Sequence, residues 1–142
     1  MTMIEITEEP ISPEQVVQRA KNDASGCVVT YVGLIRDNSH GKAVRHVEYS
    51  DHSGEAASSL DTVADEAMRR WKIERVAITH RVGQLKVGEI NLVIAVAAAH
   101  RTEGFAACEF VIDQFKARVP TQKSEVYVDG TVYKPGRGDP AK

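Results

Sequence analysis

The sequence predicts a single α+β domain with a mixed or antiparallel sheet and about three helices. Three observations carry this prediction. The chain has 142 residues, enough for one core and too few for two. Apolar stripes at helical spacing alternate with β-branched runs. No repeat, long gap or low-complexity linker separates them. Residues 1–135 read as the domain, and 136–142, Gly-Arg-Gly-Asp-Pro-Ala-Lys, as a flexible C-terminal tail.

Ser12-Pro13-Glu14-Gln15 predicts a helix start, with Ser12 as N-cap, Pro13 in the first turn and Gln15 placed to close a capping box. That helix should run to about Asn22, where Ser25-Gly26 breaks the pattern. Cys27 to Val32 then forms a β-branched and aromatic strand leading into Gly33-Leu34-Ile35-Arg36-Asp37. After the polar turn Asn38–Gly41, the positions Val44, His46 or Val47, and Tyr49 predict a strand that pairs with the preceding one. Ala57, Leu60, Val63, Ala64, Ala67, Met68 and Trp71 mark a second amphipathic helix.

Val76, Ile78 and His80 alternate as in a strand, Gly83 and Gly88 bracket a loop, and Ile90 to Val96 reads as a central buried strand. Thr102 should cap a third helix whose apolar face is Phe105, Cys108, Ile112, Phe115 and Val119, with Pro120 ending it. Val126–Val128 and Thr131–Tyr133 flank Asp129-Gly130, the signature of a two-residue type I′ hairpin. The expected order is αββαββαββ.

Charge and composition exclude several function classes. Eighteen Lys plus Arg against twenty Asp plus Glu give a net charge of -2, so no global basic field draws the chain to nucleic acid. No apolar run approaches the roughly 20 residues that a membrane span needs. The acidic N-terminus lacks the basic start and apolar stretch of a secretory signal, which predicts a cytoplasmic protein. Cys27 and Cys108 are read as reduced core residues, not as a disulfide framework or metal knuckle. His40, His46 and His52 lack metal-ligand spacing, so no metal is expected. Neither a phosphate-cradling loop nor a nucleophile elbow is present, and the Arg-Gly-Asp in the tail is read as accidental.

Any anion binding must then be local, and three cationic clusters are candidates. His100 and Arg101 lie where a buried strand meets a helix start, with proton exchange near neutral pH and a planar anion fork. Lys116, Arg118 and Lys123 span the end of that helix and the loop beyond. A partly desolvated lysine there can act as acid, base or nucleophile. Arg36 follows a strand and a glycine that permits close backbone approach. Taken singly, each has a structural explanation: a helix cap, dipole partners, and a surface ion pair with Asp37. Read together, they predict an enzyme that holds an anionic substrate.

Several stretches in this order resemble the large, catalytic subunit of molybdopterin synthase, the MoaE family. They are Gly26 to Asp37, Glu48-Tyr49, Arg69-Arg70-Trp71, His80-Arg81-Val82-Gly83, Ala99-His100-Arg101 with Phe105, and Lys116-Ala117-Arg118-Val119-Pro120 followed by Lys123 and Glu125. The resemblance runs from about Gly26 to about Tyr133. It implies an α/β-hammerhead-like fold and a homodimer of large subunits. Each would bind a ubiquitin-like small subunit, giving a heterotetramer.

The implied reaction moves sulfur from the small subunit's C-terminal thiocarboxylate to cyclic pyranopterin monophosphate, forming the dithiolene of molybdopterin. By position, Lys116 and Lys123 would be catalytic. Arg36, His100 and Arg101 would hold substrate, with Leu34, Ile35, Ser124 and Glu125 lining the pocket, and His100 and Arg101 serving the neighbouring subunit's pocket. No resident cofactor is implied, because sulfur arrives on the partner. Thr121-Gln122 departs from the bulky, often aromatic residues usual before Lys123. Two alternatives stand beside the enzyme: a non-catalytic dimeric anion- or metabolite-binding module using the same cationic patch, and a degenerate large subunit, which the Thr121-Gln122 departure supports.

Overall fold

A computed structural model describes residues 2–135. In chain order its elements are β1 (Thr2–Thr7), α1 (Pro13–Ala20), β2 (Cys27–Leu34), β3 (Asn38–Ser39), β4 (Lys42–Ser50) and α2 (Ala56–Arg70). They continue with β5 (Arg75–Arg81), β6 (Gly83–Lys86), β7 (Ile90–Ala98), α3 (Arg101–Arg118), β8 (Gln122–Tyr127) and β9 (Val132–Tyr133). The expected tail, 136–142, lies outside the described residues.

One sheet runs β1-β5-β7-β2, with β1 parallel to β5 and the other pairs antiparallel. Because successive side chains in a strand point to opposite faces, β7 serves two cores. Leu92, Ile94, Val96 and Ala98 pack with Val76, Ile78 and the apolar faces of α2 and α3. Val93, Ala95 and Ala97 pack with Ala77 and with Val16 and Ala20 of α1 on the other side. Helices on both faces explain the uninterrupted apolar run Leu92–Ala98 of β7.

A second sheet is built around β4, which pairs with β8 over Val44–Ser50, with β6 over His46–Tyr49, and with the short β3. Its own core gathers Ile35, Val44, Val47, Tyr49, Leu85 and Tyr127. β9 closes the other side of β8.

The α+β class and the three helices are as expected, and Ser12 accepts the Gln15 N–H at the start of α1. Several local expectations are overturned. β4 does not pair with β2. β2 instead aligns with β7 from Cys27↔Ala98 to Leu34↔Ile90, a longer apolar complement than β4 offers. β1 was missed, although Ile4 and Ile6 alternate and pack against the larger core. The predicted loop between Gly83 and Gly88 contains β6, because Leu85 is fully buried between exposed Gln84 and Lys86.

At α2, Ala56 and not Ala57 faces the core. α3 begins at Arg101, with His100 at the cap position and no side-chain cap bond, so Thr102 is not the cap. Its buried face is Gly104, Ala107, Cys108, Val111 and Phe115, while Phe105 is 61% exposed. Gly104 sets that face, because a Cβ there would lie 2.9 Å from Val29 Cγ2. Cys27 is half-buried at the core's edge, whereas Cys108 is buried, which pushes its thiol up to about 11.

The final hairpin is not type I′. Gly130 has φ 89, but His40 is the one non-glycine among the described residues with positive φ, so Asp129 is not left-handed. Gly130 N–H donates to Tyr127 O and Tyr127 N–H to Thr131 O, making a three-residue connection.

Leu60 is fully buried between α2 and the sheet. Leu60→Ala is expected to destabilise the fold by about 2–5 kcal/mol through lost transfer energy and a residual cavity. Urea denaturation measures this as a lower midpoint with an unchanged slope.

Candidate active site

The period of two that builds β8 puts Lys123, Glu125 and Tyr127 on one side of the strand. Glu125 is buried, and a buried carboxylate requires hydrogen-bond donors and charge compensation. Ser39 Oγ and Tyr127 Oη both donate to Glu125 Oε1 at 2.9 Å. Lys123 Nζ stands 3.6 Å from Oε2, and His40 Nε2 3.8 Å from Oε1.

The Lys123 side chain is 13% exposed. Burial pushes its amine below the ordinary lysine range, the Glu125 charge pulls it partly back, and the Arg36 and Lys116 charges push it down again. The charges of two residues from other elements thus both reach Lys123 in β8: Arg36 just beyond β2 and Lys116 in the last turn of α3. Crowding cations around one desolvated amine favours its neutral form, and a neutral amine can take a proton.

Beside this cluster runs a groove of about 850 Å³, whose walls include Ser50, His52, Thr121, Gln122, Lys123 and Ser124. The register Tyr49↔Lys123 and Ser50↔Gln122 brings its two sides together. Ser50 Oγ and His52 Nε2 are 3.1 Å apart. Tyr49 lies beneath, its hydroxyl accepting from Asn91 Nδ2 at 3.1 Å. Burial pushes the Tyr49 hydroxyl up to about 12, which keeps it protonated and structural.

His100 and Arg101 line a different groove, of about 400 Å³, with Gly26, Cys27, Ala99 and Thr102. The 18-residue helix α3 separates them from Lys116 by about 22–24 Å at roughly 1.5 Å per residue. Within one chain the structure therefore joins Arg36, Lys116, Lys123 and Glu125, and leaves His100 and Arg101 apart. Ser124 lines the larger groove, Leu34 is 58% exposed on β2, and Ile35 is buried in the smaller core. Arg118 leaves the cluster altogether: it forks onto Glu66 of α2 at 3.2 and 2.9 Å.

Sequence reasoning missed Ser39, His40 and Tyr127 around the carboxylate, and Ser50 and His52 on the groove wall. For Tyr127 the signal was present, since Lys123, Glu125 and Tyr127 share strand parity. Ser39 at the end of β3 and His40 in the turn after it lie 86 and 85 residues away, and no local pattern encodes that contact.

A family model described as MoaE protein matches residues 6–118. The chain belongs to the MoaE family. Curated MoaE relatives include the molybdopterin synthase catalytic subunit of Arabidopsis thaliana, 35% identical over 93% of this chain and 68% of that protein. That of Bacillus subtilis (strain 168) is 34% identical over 92% of this chain and 83% of its own length.

Among solved structures, molybdopterin synthase from Staphylococcus aureus superposes with a TM-score of 0.87 at 32% identity, covering 94% of this chain and 96% of that one. The MoaE protein of Burkholderia ambifaria MC40-6 gives 0.82 at 34% identity over 99% and 95%. A protein–protein complex of subunits 1 and 2 of molybdopterin-converting factor from Helicobacter pylori 26695 shares the fold, with a TM-score of 0.70 at 12% identity.

Two outcomes follow from this geometry. The Lys123 amine is expected to lose its proton at lower pH than an exposed lysine, and Glu125→Gln, which removes the charge that pulls it back, to lower that pH further. NMR titration of the isotope-labelled lysines, assigned with Lys123→Arg, measures both; an Lys123 signal titrating in the ordinary lysine range contradicts the assignment. At the smaller groove, a Cβ on Gly26 would lie 2.4 Å from the Ala99 carbonyl oxygen. Backbone cannot yield as a side chain does, so Gly26→Ala should cost about 1–3 kcal/mol, measurable by thermal denaturation.

Proposed function

We propose that this MoaE chain is the catalytic subunit of a molybdopterin synthase, a sulfurtransferase acting in molybdenum cofactor biosynthesis. The observation that carries this reading is the desolvated Lys123 amine crowded by Arg36 and Lys116 beside an open groove, in a chain whose relatives are named molybdopterin synthase catalytic subunits. A catalytic subunit implies a second subunit. Here the partner is a ubiquitin-like small subunit whose extended C-terminal thiocarboxylate lies in the groove.

The reaction requires two anions to meet, the thiocarboxylate and the phosphate of cyclic pyranopterin monophosphate. Fixed cations at their meeting point offset that repulsion most strongly where water is excluded. Lys116 positions the reacting groups and protonates the substrate during sulfur attack, and Lys123 assists proton transfer from its neutral form. Arg36 holds anionic oxygen with its planar fork.

His100 and Arg101, too far from Lys116 to reach the same substrate within one chain, serve the pocket of a second copy. This makes the large subunit a homodimer and the whole enzyme a heterotetramer. Sulfur arrives on the partner protein, so this step calls for no resident cofactor or metal, and its setting is the cytoplasm. A module that only binds an anionic metabolite would use the same cations for charge alone.

Reconstitution with the thiocarboxylated small subunit and cyclic pyranopterin monophosphate separates these readings, with molybdopterin detected as its fluorescent oxidised derivative. Lys116→Ala is expected to lower product formation by at least about 100-fold. Lys116→Arg, which retains charge but not the transferable proton, should fail to restore it. Absence of product from the wild-type chain in a stable complex would favour the degenerate subunit. Full activity of Lys116→Arg would remove Lys116 from proton chemistry.

A further inference from the structure

The Lys123 side chain is already largely withdrawn from water, at 13% exposure, and a group that moves a proton in each catalytic cycle must have it returned. The geometry points to a route out through the back of the site. We propose that Glu125 and His40 form a proton relay between Lys123 and solvent, with His40 as its water-facing end; this rests on the sulfur-transfer reading above.

The relay is a gradient of exposure. The Lys123 side chain is 13% exposed, Glu125 4% and His40 46%. Lys123 and His40 approach different oxygens of one carboxylate, at 3.6 and 3.8 Å. A closure of about 1 Å brings either contact to hydrogen-bond length.

Lys123 ammonium gives its proton to Glu125 Oε2, leaving a neutral amine and a neutral carboxyl. A half-rotation of the carboxyl exchanges its oxygens, and the hydroxyls of Ser39 and Tyr127, which donate to Oε1 at 2.9 Å, meet the other oxygen. The proton then passes to His40 Nε2, restoring the carboxylate, and His40 releases a proton to water. Reversing the sequence recharges Lys123. No other reactant is required.

His40 is held for this contact. It has φ 52, a left-handed backbone that a non-glycine side chain adopts at a cost. Its ring packs against Tyr133 at 4.5 Å between centroids, with the ring planes tilted by 59°. Among the described residues, the groups facing the relay include Ser39, Tyr127 and Tyr133 around the carboxylate and His40, Arg36 and Lys116, whose charges reach Lys123, the Tyr49 hydroxyl, which feels the Glu125 charge, and Lys42 over the Tyr127 ring and paired to Asp129. Histidine is the side chain whose ordinary titration lets it take and release protons near neutral pH.

The test uses the complete synthase reaction with His40→Asn, which tolerates the left-handed backbone, and His40→Gly, which relieves it and leaves room for a small molecule. Both are expected to slow turnover by about 100-fold, with His40→Gly recovering most of the rate in added imidazole and Lys123→Ala recovering none. Wild-type rates in His40→Asn between pH 6 and 9, or a deficit in His40→Gly that imidazole leaves unchanged, would overturn the relay while leaving sulfur transfer intact. Absence of product from the wild-type chain would overturn both.

Discussion

The constraint on which the rest depends is that β7 is buried on both faces. A strand covered on two sides has no solvent face to spare, so from Leu92 to Ala98 each of its residues meets an apolar partner. β2 and β5 supply its edges, α1 one cover, and α2 with α3 the other. The chain leaves this strand at Ala98 and turns at once into α3. The direction of α3, and with it the position of Lys116, is inherited from the strand's placement.

The second sheet serves a different purpose. It is small, and its core is a single cluster around Val47, Leu85 and Tyr127. That core is nevertheless sufficient to bury one carboxylate with two hydroxyl donors and a lysine beside it. Burying Glu125 raises the stakes for each neighbour, because a charge out of water is tolerated only while its partners remain in place. The candidate site therefore lies where the smaller sheet meets the end of a helix anchored on the larger one.

How much of this could be read from the residues depended on distance along the chain. The stripe Leu60, Val63, Ala64 and Ala67 and the run Ile90–Val96 announce themselves, since periodicity and burial are local signals. Ser12 over Gln15 was equally local. The mispairing of β4 with β2 arose from preferring sequence neighbours, whereas the longer apolar complement to β2 lay on β7. Phe105 was misplaced because apolar character alone assigned the face of α3. The close approach of Gly104 to Val29, invisible in the sequence, decides it. The cations Arg36, Lys116 and Lys123 were legible as candidates, but only the folded chain joins them, and it sets His100 and Arg101 apart.

The helix α3 has a further consequence for how this chain can change over time. It carries His100 and Arg101 at one end and Lys116 near the other, and it is continuous between them. A substitution on its exposed face leaves both ends where they are. An added or deleted residue is different in kind: it shifts Lys116 along the axis by about 1.5 Å and swings it around by about 100°, away from Arg36 and Lys123. The helix can thus drift in sequence while its length is held fixed.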